Sequence, residues 1–190
     1  PQQAFEGTYG PMFSRLRADY LPNFVKDLEA GTVDFVLAYA SRRASTIAGS
    51  QDVDSVRIGR DSLIPVSKVE ADGRPMFDIA RTQPPAIPYL RFGATAPISQ
   101  HLAPLLEVNN VQKRLQVVYE NSMAGALRIR VREGIGIAWL PKSLVAPDLE
   151  AGILALAGGK KWEVALDIRL YRIRRHANAM TNKIWVFLER

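Results

Sequence analysis

The 190-residue sequence contains no cysteine, which excludes a disulfide framework, a cysteine-ligated zinc site and a thiol-based redox switch. It has two histidines, His101 and His176, and neither has a partner at metal-ligand spacing, so we assign both to surface or capping roles. No apolar run approaches the ~18 residues of a membrane span, and the first residues lack the pattern of a signal peptide. We expect no metal, no cofactor and no membrane segment.

Motifs for catalysis are also missing from the sequence. There is no nucleophile elbow and no phosphate loop, and Gly134-Ile135-Gly136 lacks the downstream glycine of a dinucleotide fingerprint. Asp52 and Asp54 lie in a polar stretch, which does not favour a general acid. We therefore expect no catalytic residues and no enzymatic activity.

The composition, 47% hydrophobic and 23% charged, is that of a globular protein, and the net charge is +6. Residues 1–121 balance 13 Lys/Arg against 13 Asp/Glu, so the excess lies in residues 122–190, with 12 against 6. The cluster of Arg169, Arg172, Arg174 and Arg175 has the charge to meet phosphates or an acidic partner. Solvated charge is the simpler interpretation, because no aromatic interleaving or nucleic-acid motif accompanies it.

The first half of the chain predicts a strand, a helix and a second strand. Phe13–Tyr20 alternates as a strand does, and a helix is predicted from Pro22 to Gly31. Residues 34–40 are apolar without alternation, which is typical of a strand buried on both faces in a parallel sheet. Together they predict a right-handed crossover unit. Residues 53–69 predict a strand pair or one long bent strand.

A second series follows residues 81–88, whose three prolines favour a crossing between lobes. The helix predicted at 96–107 contains Pro104, which predicts a kink or an early stop. A further helix is predicted from an Asn121-Ser122 N-cap to Gly134. The strands are predicted at 88–92, 115–119, 135–140, 153–156 and 164–170, with a short helix ending at Gly152 and a terminal helix at 181–190. Two such series predict two α/β lobes with a cleft between them.

Three passages of the sequence carry a family resemblance. They are Tyr119 to Met123 entering a helix, Glu133 to Pro141, and Leu149 to Leu154, and Leu28 to Leu37 agrees with them upstream. In order and spacing the chain resembles the effector-binding domain of LysR-type transcriptional regulators over about residues 21–190. Asn121-Ser122-Met123, Gly136 to Pro141 and the tail around Trp185 are most similar to the hypochlorite-responsive members.

The resemblance implies a type 2 periplasmic-binding-protein fold, an α/β fold of two Rossmann-like lobes with a hinge of crossing strands. Residues 1–84 plus about 164–190 would form lobe I, and residues 85–163 lobe II. It also implies a cytoplasmic homodimer or tetramer, paired through parts of residues 21–30 and 122–133. Two family features are not found: an opening strand within Pro1 to Tyr9, which is either diverged or missing, and the N-terminal helix-turn-helix. DNA binding is therefore expected only through an N-terminal domain absent from this chain.

Ligands in such a fold sit at the carboxyl ends of strands, where helix N-termini present free N–H groups. Gly93 and Thr95 follow one strand, and Asn121, Ser122 and Met123 follow another. Thr95, Asn121 and Ser122 either only cap helices or also contact ligand. Met123 either packs in the core or is oxidised to the sulfoxide as a sensor.

Two residues of the first lobe complete the candidate site. Tyr39 and Ser41 lie at the end of a predicted strand that the resemblance places at the cleft, although Tyr39 is equally suited to a core role. Arg42 and Arg43 follow as candidates to clamp a carboxylate, with solvated charge as the simpler interpretation.

The resulting function prediction is a sensor that binds a small effector or responds to an oxidant and changes the angle between its lobes. One alternative is an extracytoplasmic solute-binding protein, which a helix-turn-helix encoded upstream would exclude. Another is an enzyme on the same scaffold, such as a dehydratase, which turnover of a candidate ligand would support.

Overall fold

The computed structural model describes residues 2–18, 21–41, 52–81 and 86–189, and only the backbone of residues 2–4 and 21. The helices among these residues are α1 (Gln2–Tyr9), α2 (Leu21–Ala30), α3 (Ser99–Val108), α4 (Ala124–Arg132), α5 (Lys142–Glu150) and α6 (Ala179–Leu188). The strands are β1 (Val36–Ala40), β2 (Val53–Lys68), β3 (Ile87–Phe92), β4 (Leu115–Asn121), β5 (Ala138–Pro141), β6 (Leu154–Leu156) and β7 (Val164–Ile173). None of the described helices has the length and apolar character needed to cross a membrane.

Contacts divide the chain into two compact units. The first contains α1, α2, β1, β2 up to Arg60, β7 from Asp167, and α6; the second contains Ser41 and Asp61–Leu166. The long strands β2 and β7 therefore each contribute residues to both units. The sequence placed the first division after residue 84, whereas the contacts place it inside β2, because Leu63–Lys68 pairs with β5 and β6.

The first unit is built on α2 and an antiparallel strand pair. α2 carries Pro22 in its first turn and ends before Gly31, whose φ of 71° suits glycine, so the predicted helix is confirmed. It buries Leu28 against Val36 of β1 and against Tyr171 and Ile173 of β7. Burying such side chains stabilises the fold by roughly 2 kcal/mol each.

Two predictions for this unit are wrong. Residues 13–18 form no strand, and Phe13 and Leu16 are both 89% exposed. β1 pairs with β7 in the antiparallel sense, from Val36 opposite Tyr171 to Ala40 opposite Asp167, and Leu37 is exposed. Alternation alone therefore did not form a strand, and the predicted parallel crossover unit is absent from the described residues. The family's opening strand is also not found in residues 2–9, which are helical.

Three arginines at the end of β7 and just after it pair with two carboxylates from far upstream. Arg172 Nε and Arg174 Nη2 donate to Asp54, at 3.2 Å and 2.6 Å, and Arg175 Nη1 donates to Asp52 at 3.0 Å. The hydrogen bond from Arg174 holds the pKa of the Asp54 carboxyl below its ordinary value. These three arginines therefore form ion pairs within the first unit, which is a structural role rather than a phosphate-binding one.

The same cluster holds the terminal helix. The guanidinium of Arg172 lies 4.2 Å from the ring centroid of Trp185, which is buried and also stacks on Phe35. At the start of α6, Asn178 caps the helix, since its side-chain oxygen accepts the N–H groups of Met180 and Thr181. The predicted terminal helix is confirmed, beginning two residues earlier.

The second unit contains a parallel pair, β3 with β4, and an antiparallel group in which β2 lies between β5 and β6 in its pairing. A bridge from Tyr89 to Ile137 links the two sheets. The core lies between these strands and the helices α4 and α5, and its buried members include Ile64, Val66, Leu90, Phe92, Leu127, Val131, Leu140, Val145 and Leu154. The predicted strands and helices of residues 88–156 are confirmed, with ends shifted by a few residues.

Gly134 and Gly136, in the segment from Glu133 to Pro141, each occupy a position where the backbone requires glycine. Gly134 has a φ of 84° where α4 ends. A Cβ at Gly136 would collide with the carbonyl oxygen of Pro88. The backbone segments are this close because the Ile137 N–H donates to the same carbonyl at 2.9 Å. The glycines thus turn the helix into a buried strand packed closely against β3.

Three further features of this unit concern α3, Trp139 and Tyr89. Pro104 does not stop α3, which continues to Val108 because Leu102 and Leu106 bury its inner face. Trp139 Nε1 donates to the Trp162 carbonyl at 2.8 Å, and both rings are buried. Burial also raises the pKa of Tyr89 to about 12, against an opposing effect of Arg91.

Candidate functional site

The candidate site in the second unit forms where β3 and β4 end. These strands are parallel neighbours, and Phe92 lies opposite Asn121 at their carboxyl ends. The Gly93 N–H donates to the Asn121 carbonyl at 3.3 Å, so the two loops leave the sheet side by side. The structure therefore brings together the two loops in which the sequence predicts a site, and the site itself stays a prediction.

Gly93 lies directly against Ser122. A Cβ built on Gly93 would stand 2.9 Å from Ser122 Oγ, so any larger residue forces the serine to move. The Gly93 carbonyl accepts hydrogen bonds from the Ala96 N–H at 2.9 Å and from Ser99 Oγ at 2.8 Å. This turn leads into α3 and fixes the position of Gly93, which is itself buried.

Asn121 and Met123 set the start of α4. Asn121 Oδ1 accepts the Met123 N–H at 2.9 Å, and its Nδ2 donates to Tyr119 Oη at 3.1 Å. Met123 is the N-cap residue and caps by its backbone alone, so the predicted Asn121-Ser122 cap is one to two residues too early. The Ala126 and Leu127 N–H groups donate to the Met123 carbonyl, at 3.1 Å and 3.2 Å, which leaves the N–H groups of Ala124 and Gly125 at the positive end of the helix dipole.

The exposed groups at this site are hydroxyls and a thioether. Thr95 and Ser122 are exposed, and neither hydroxyl has a hydrogen-bond partner within the described part of the chain. Met123 is 70% exposed, whereas Leu127 and Val131 on the same helix are buried. The core-packing interpretation of Met123 is therefore wrong, and the side chain is open to solvent and to oxidants.

Glu120 is a neighbour of the site that sequence reasoning missed. One of its carboxylate oxygens lies 3.7 Å from the Cβ position of Gly93, and the other accepts the Arg91 Nε–H at 2.9 Å. Both side chains are about half exposed, so the pair contributes little stability. It does place a compensated carboxylate beside Ser122, which disfavours a bare anion at that point.

The two site residues predicted for the first lobe, Tyr39 and Ser41, belong to different units. Tyr39 lies in β1 of the first unit and is partly buried. Ser41 belongs to the second unit, where its Oγ is 3.0 Å from Nδ1 of His101 in α3. His101 is only 2% exposed, so its predicted surface role is wrong, and sequence reasoning gave no signal for this pairing. Arg42 and Arg43 lie outside the described residues.

The helix that begins at the site is held at its other side by a buried ion pair. Asp148 of α5 is 3% exposed and accepts Arg128 Nε at 2.6 Å and Nη2 at 2.8 Å from α4. The Arg128 hydrogen bonds lower the pKa of the Asp148 carboxyl, with a further contribution from Arg132. Within the described residues, no group of His, Asp or Glu side chains could hold a metal ion.

The family can be identified from the whole chain. A family model described as the LysR substrate binding domain matches residues 11–190. The chain belongs to this family. The match begins ten residues earlier than the resemblance read from the sequence and includes the irregular segment 11–18.

Three solved structures share the fold of this LysR domain. The regulatory domain of HypT from Salmonella typhimurium in its apo-form superposes with a TM-score of 0.83 and 19% identity over 98% of this chain and 86% of that one. Vibrio fischeri DarR, solved in complex with DNA, gives a TM-score of 0.79 and 28% identity over 98% and 61%. The predicted type 2 periplasmic-binding-protein fold is confirmed. Full-length HypT, described as a hypochlorite-specific LysR-type transcriptional regulator, shares it with a TM-score of 0.80 and 18% identity over 98% of this chain and 61% of that one.

A curated relative of this LysR domain is the HTH domain-truncated transcriptional regulator QseD of Escherichia coli O157:H7. The two are 21% identical over 132 residues, which is 70% of this chain and 53% of that protein. The chain spans about half the length of the curated relatives it matches.

Proposed function

We propose that this LysR domain senses a small effector or an oxidant at the carboxyl ends of β3 and β4 and thereby controls transcription in a cytoplasmic regulator. The supporting observation is the convergence of Gly93 and Ser122, with the start of α4 beside them. Thr95, Asn121 and Met123 would line the same site. Tyr39 and Ser41 stay sequence-based candidates for it.

For a neutral or polar effector, the site supplies hydroxyls and helix N–H groups. Thr95 and Ser122 can each donate one hydrogen bond and accept others, and Ala124 and Gly125 at the start of α4 can donate their backbone N–H groups. Glu120, paired with Arg91, favours a ligand that also carries a donor. An effector switches the domain only if it binds one conformation more tightly than another.

For an oxidant, Met123 is the reactive group. Hypochlorous acid transfers its oxygen to the thioether sulfur, giving the sulfoxide and releasing chloride and a proton. The product carries a polar oxygen on a pyramidal sulfur at the start of α4, next to the Asn121 contact that fixes the helix. The 70% exposure of Met123 allows this reaction without unfolding.

A thermal-shift screen of aromatic acids, amino acids and hypochlorite treatment tests both forms of the proposal. We expect Thr95→Ala and Ser122→Ala to abolish stabilisation by an effector, while Gln112→Ala, exposed before the other end of β4, leaves it unchanged. We expect Met123→Leu to abolish the oxidant response and Met180→Leu, which removes an exposed methionine of α6, to preserve it. An effector whose stabilisation survives both alanine changes excludes this site, and an oxidant response unaffected by Met123→Leu excludes the redox form.

We further propose a homodimer in which α4 packs on α2 of the partner subunit. α4 exposes Ile129, at 59%, on the side away from its buried Leu127 and Val131, and Met123 at its N-cap is 70% exposed. Sedimentation at tens of micromolar is expected to show a dimer that Ile129→Asp converts to a monomer. A monomer at all concentrations contradicts the proposal.

A further inference from the structure

A cluster of unpaired cations lies at the amino ends of β3 and β4. It consists of Arg81, Lys113, Arg114, Lys160 and Lys161, here called the basic patch. Arg81 precedes β3, Lys113 and Arg114 immediately precede β4, and the two lysines begin the 3₁₀ turn before β7. All five belong to the second unit.

A chain of contacts brings these segments together. Arg114 Nη1 donates to the Ile79 carbonyl at 3.2 Å, and its Nη2 donates to the Arg81 carbonyl. The Ile79 N–H in turn donates to the Ala157 carbonyl at 2.9 Å, and a Cβ at Gly158 would stand 2.7 Å from the Ile79 side chain. Lys160 is two residues further on, at most about 7.6 Å by backbone geometry.

The charges of the basic patch are not paired with carboxylates, and contacts hold two of the five side chains in place. No carboxylate among residues 2–18, 21–41, 52–81 and 86–189 forms an ion pair with any of the five, in contrast to the arginines of the first unit. Arg114 is held by two carbonyls, and Lys161 Nζ lies 5.0 Å from the centroid of the Trp162 ring. The acidic side chains on the same segments are Asp78 and Glu163, so three positive charges remain in excess. Thr82–Pro85 adds no charge by sequence.

The basic patch is distinct from the candidate effector site. The effector site lies at the carboxyl ends of β3 and β4, and the basic patch lies at their amino ends. Six residues of strand separate the two ends by about 20 Å. Effector contacts and basic-patch contacts can therefore be changed independently.

We propose that the basic patch binds the phosphodiester backbone of double-stranded DNA without reading its sequence. Clustered unpaired cations release counterions from DNA on binding. No residue in the segments 78–81, 112–114 and 158–163 is a large exposed hydrophobic, and Trp162 is buried, so the apolar anchors of a protein interface and a stacking platform for bases are both missing from them. From the sequence we expected DNA binding only through a separate N-terminal domain. The proposed contact would be a second one, made by this domain itself.

The inference rests on the proposed regulatory function for its biological setting, but its test does not use an effector. The patch variant combines Lys113→Gln, Lys160→Gln and Lys161→Gln. The matched control combines Lys26→Gln, Lys142→Gln and Lys183→Gln, which are exposed and remove the same three charges elsewhere. Thermal unfolding and tryptophan fluorescence check that both variants are folded.

Fluorescence anisotropy with a labelled 20-base-pair duplex of mixed sequence, from about 20 to 200 mM KCl, measures binding by the 190-residue chain. Each phosphate contact contributes a slope of about 0.9 in the plot of log affinity against log salt. We expect the patch variant to lower the magnitude of that slope by about 2 to 3 and the control by less than 1.

Three results would overturn the inference. They are no binding of the wild-type chain at 20 mM salt, equal losses in the patch and control variants, and binding of poly-glutamate as tightly as the duplex. The last result would instead identify an acidic protein as the partner. A failed effector screen with an intact difference between the two variants would reject the proposed sensing site and leave the basic patch standing.

Discussion

Asp148→Asn tests whether the α4–α5 ion pair holds the helix that begins at the candidate site. The carboxylate is 3% exposed and makes two hydrogen bonds with Arg128, so its replacement leaves a guanidinium facing a neutral amide. Removing one partner of a buried pair costs about 3–5 kcal/mol, and we reduce this to about 2–3 kcal/mol because the Arg128 side chain is 28% exposed and can be rehydrated. At roughly 2–4 °C per kcal/mol for a chain of this length, Tm should fall by roughly 5–10 °C.

The assay is urea unfolding at neutral pH, with Glu133→Gln as the control. Glu133 also pairs with an arginine of α4, but both partners are nearly half exposed, so we expect a loss below about 0.5 kcal/mol. Equal losses in the two variants would refute the argument, because burial would then make no difference to the pair.

The pH dependence of the same variant supplies a second check. The folded pKa of Asp148 is lowered, so its ionised form stabilises the fold above the unfolded value near 3.9, and this contribution is lost as pH falls through the folded pKa. Asparagine does not titrate. The difference in unfolding free energy between wild type and Asp148→Asn should therefore narrow as pH falls below about 5, and a difference that is constant down to pH 2 contradicts the assignment.

Three further predictions concern close packing and capping. Gly93→Ala should cost about 1 kcal/mol in unfolding free energy because the new methyl meets Ser122 Oγ, and should cost measurably less in a Ser122→Gly background; additive effects would exclude that contact. Gly136→Ala should cost at least about 2 kcal/mol in unfolding free energy, because the new methyl meets the Pro88 backbone rather than a mobile side chain. A variant within about 0.5 kcal/mol of wild type in a melting curve would contradict this close approach of the two backbone segments. Asn178→Ala should cost about 1 kcal/mol through loss of the α6 cap, whereas Lys183→Ala at an exposed position of the same helix should cost less, as measured by urea unfolding.

Local patterns predicted most elements of the second unit. Residues 123–141 combine a four-residue apolar repeat, glycines that end a helix and a buried apolar run, and each of these signals is contained within a few neighbours. The same holds for α2, where Pro22 and Gly31 mark the ends of an apolar stripe.

Most of the sequence predictions that proved wrong concern residues whose partners are distant in sequence. The alternation of Phe13–Tyr20 needs a neighbouring strand, which the described residues do not supply, and the edge position of β1 follows from its pairing with β7. The arginines of residues 172–175 form ion pairs with Asp52 and Asp54, about 120 residues upstream. Met123 continued the apolar repeat of α4, but it is the N-cap residue, so it lies outside the helix whose face it was predicted to share.

The placement of the three tryptophans makes the two units separately visible to fluorescence. Trp139 and Trp162 are buried together in the second unit, and Trp185 is buried in the first, beneath a guanidinium. A chain carrying Trp139→Phe and Trp162→Phe would emit from the first unit alone, and Trp185→Phe would leave only the second. Emission recorded for both during chemical denaturation would show whether the halves melt in one step or in sequence.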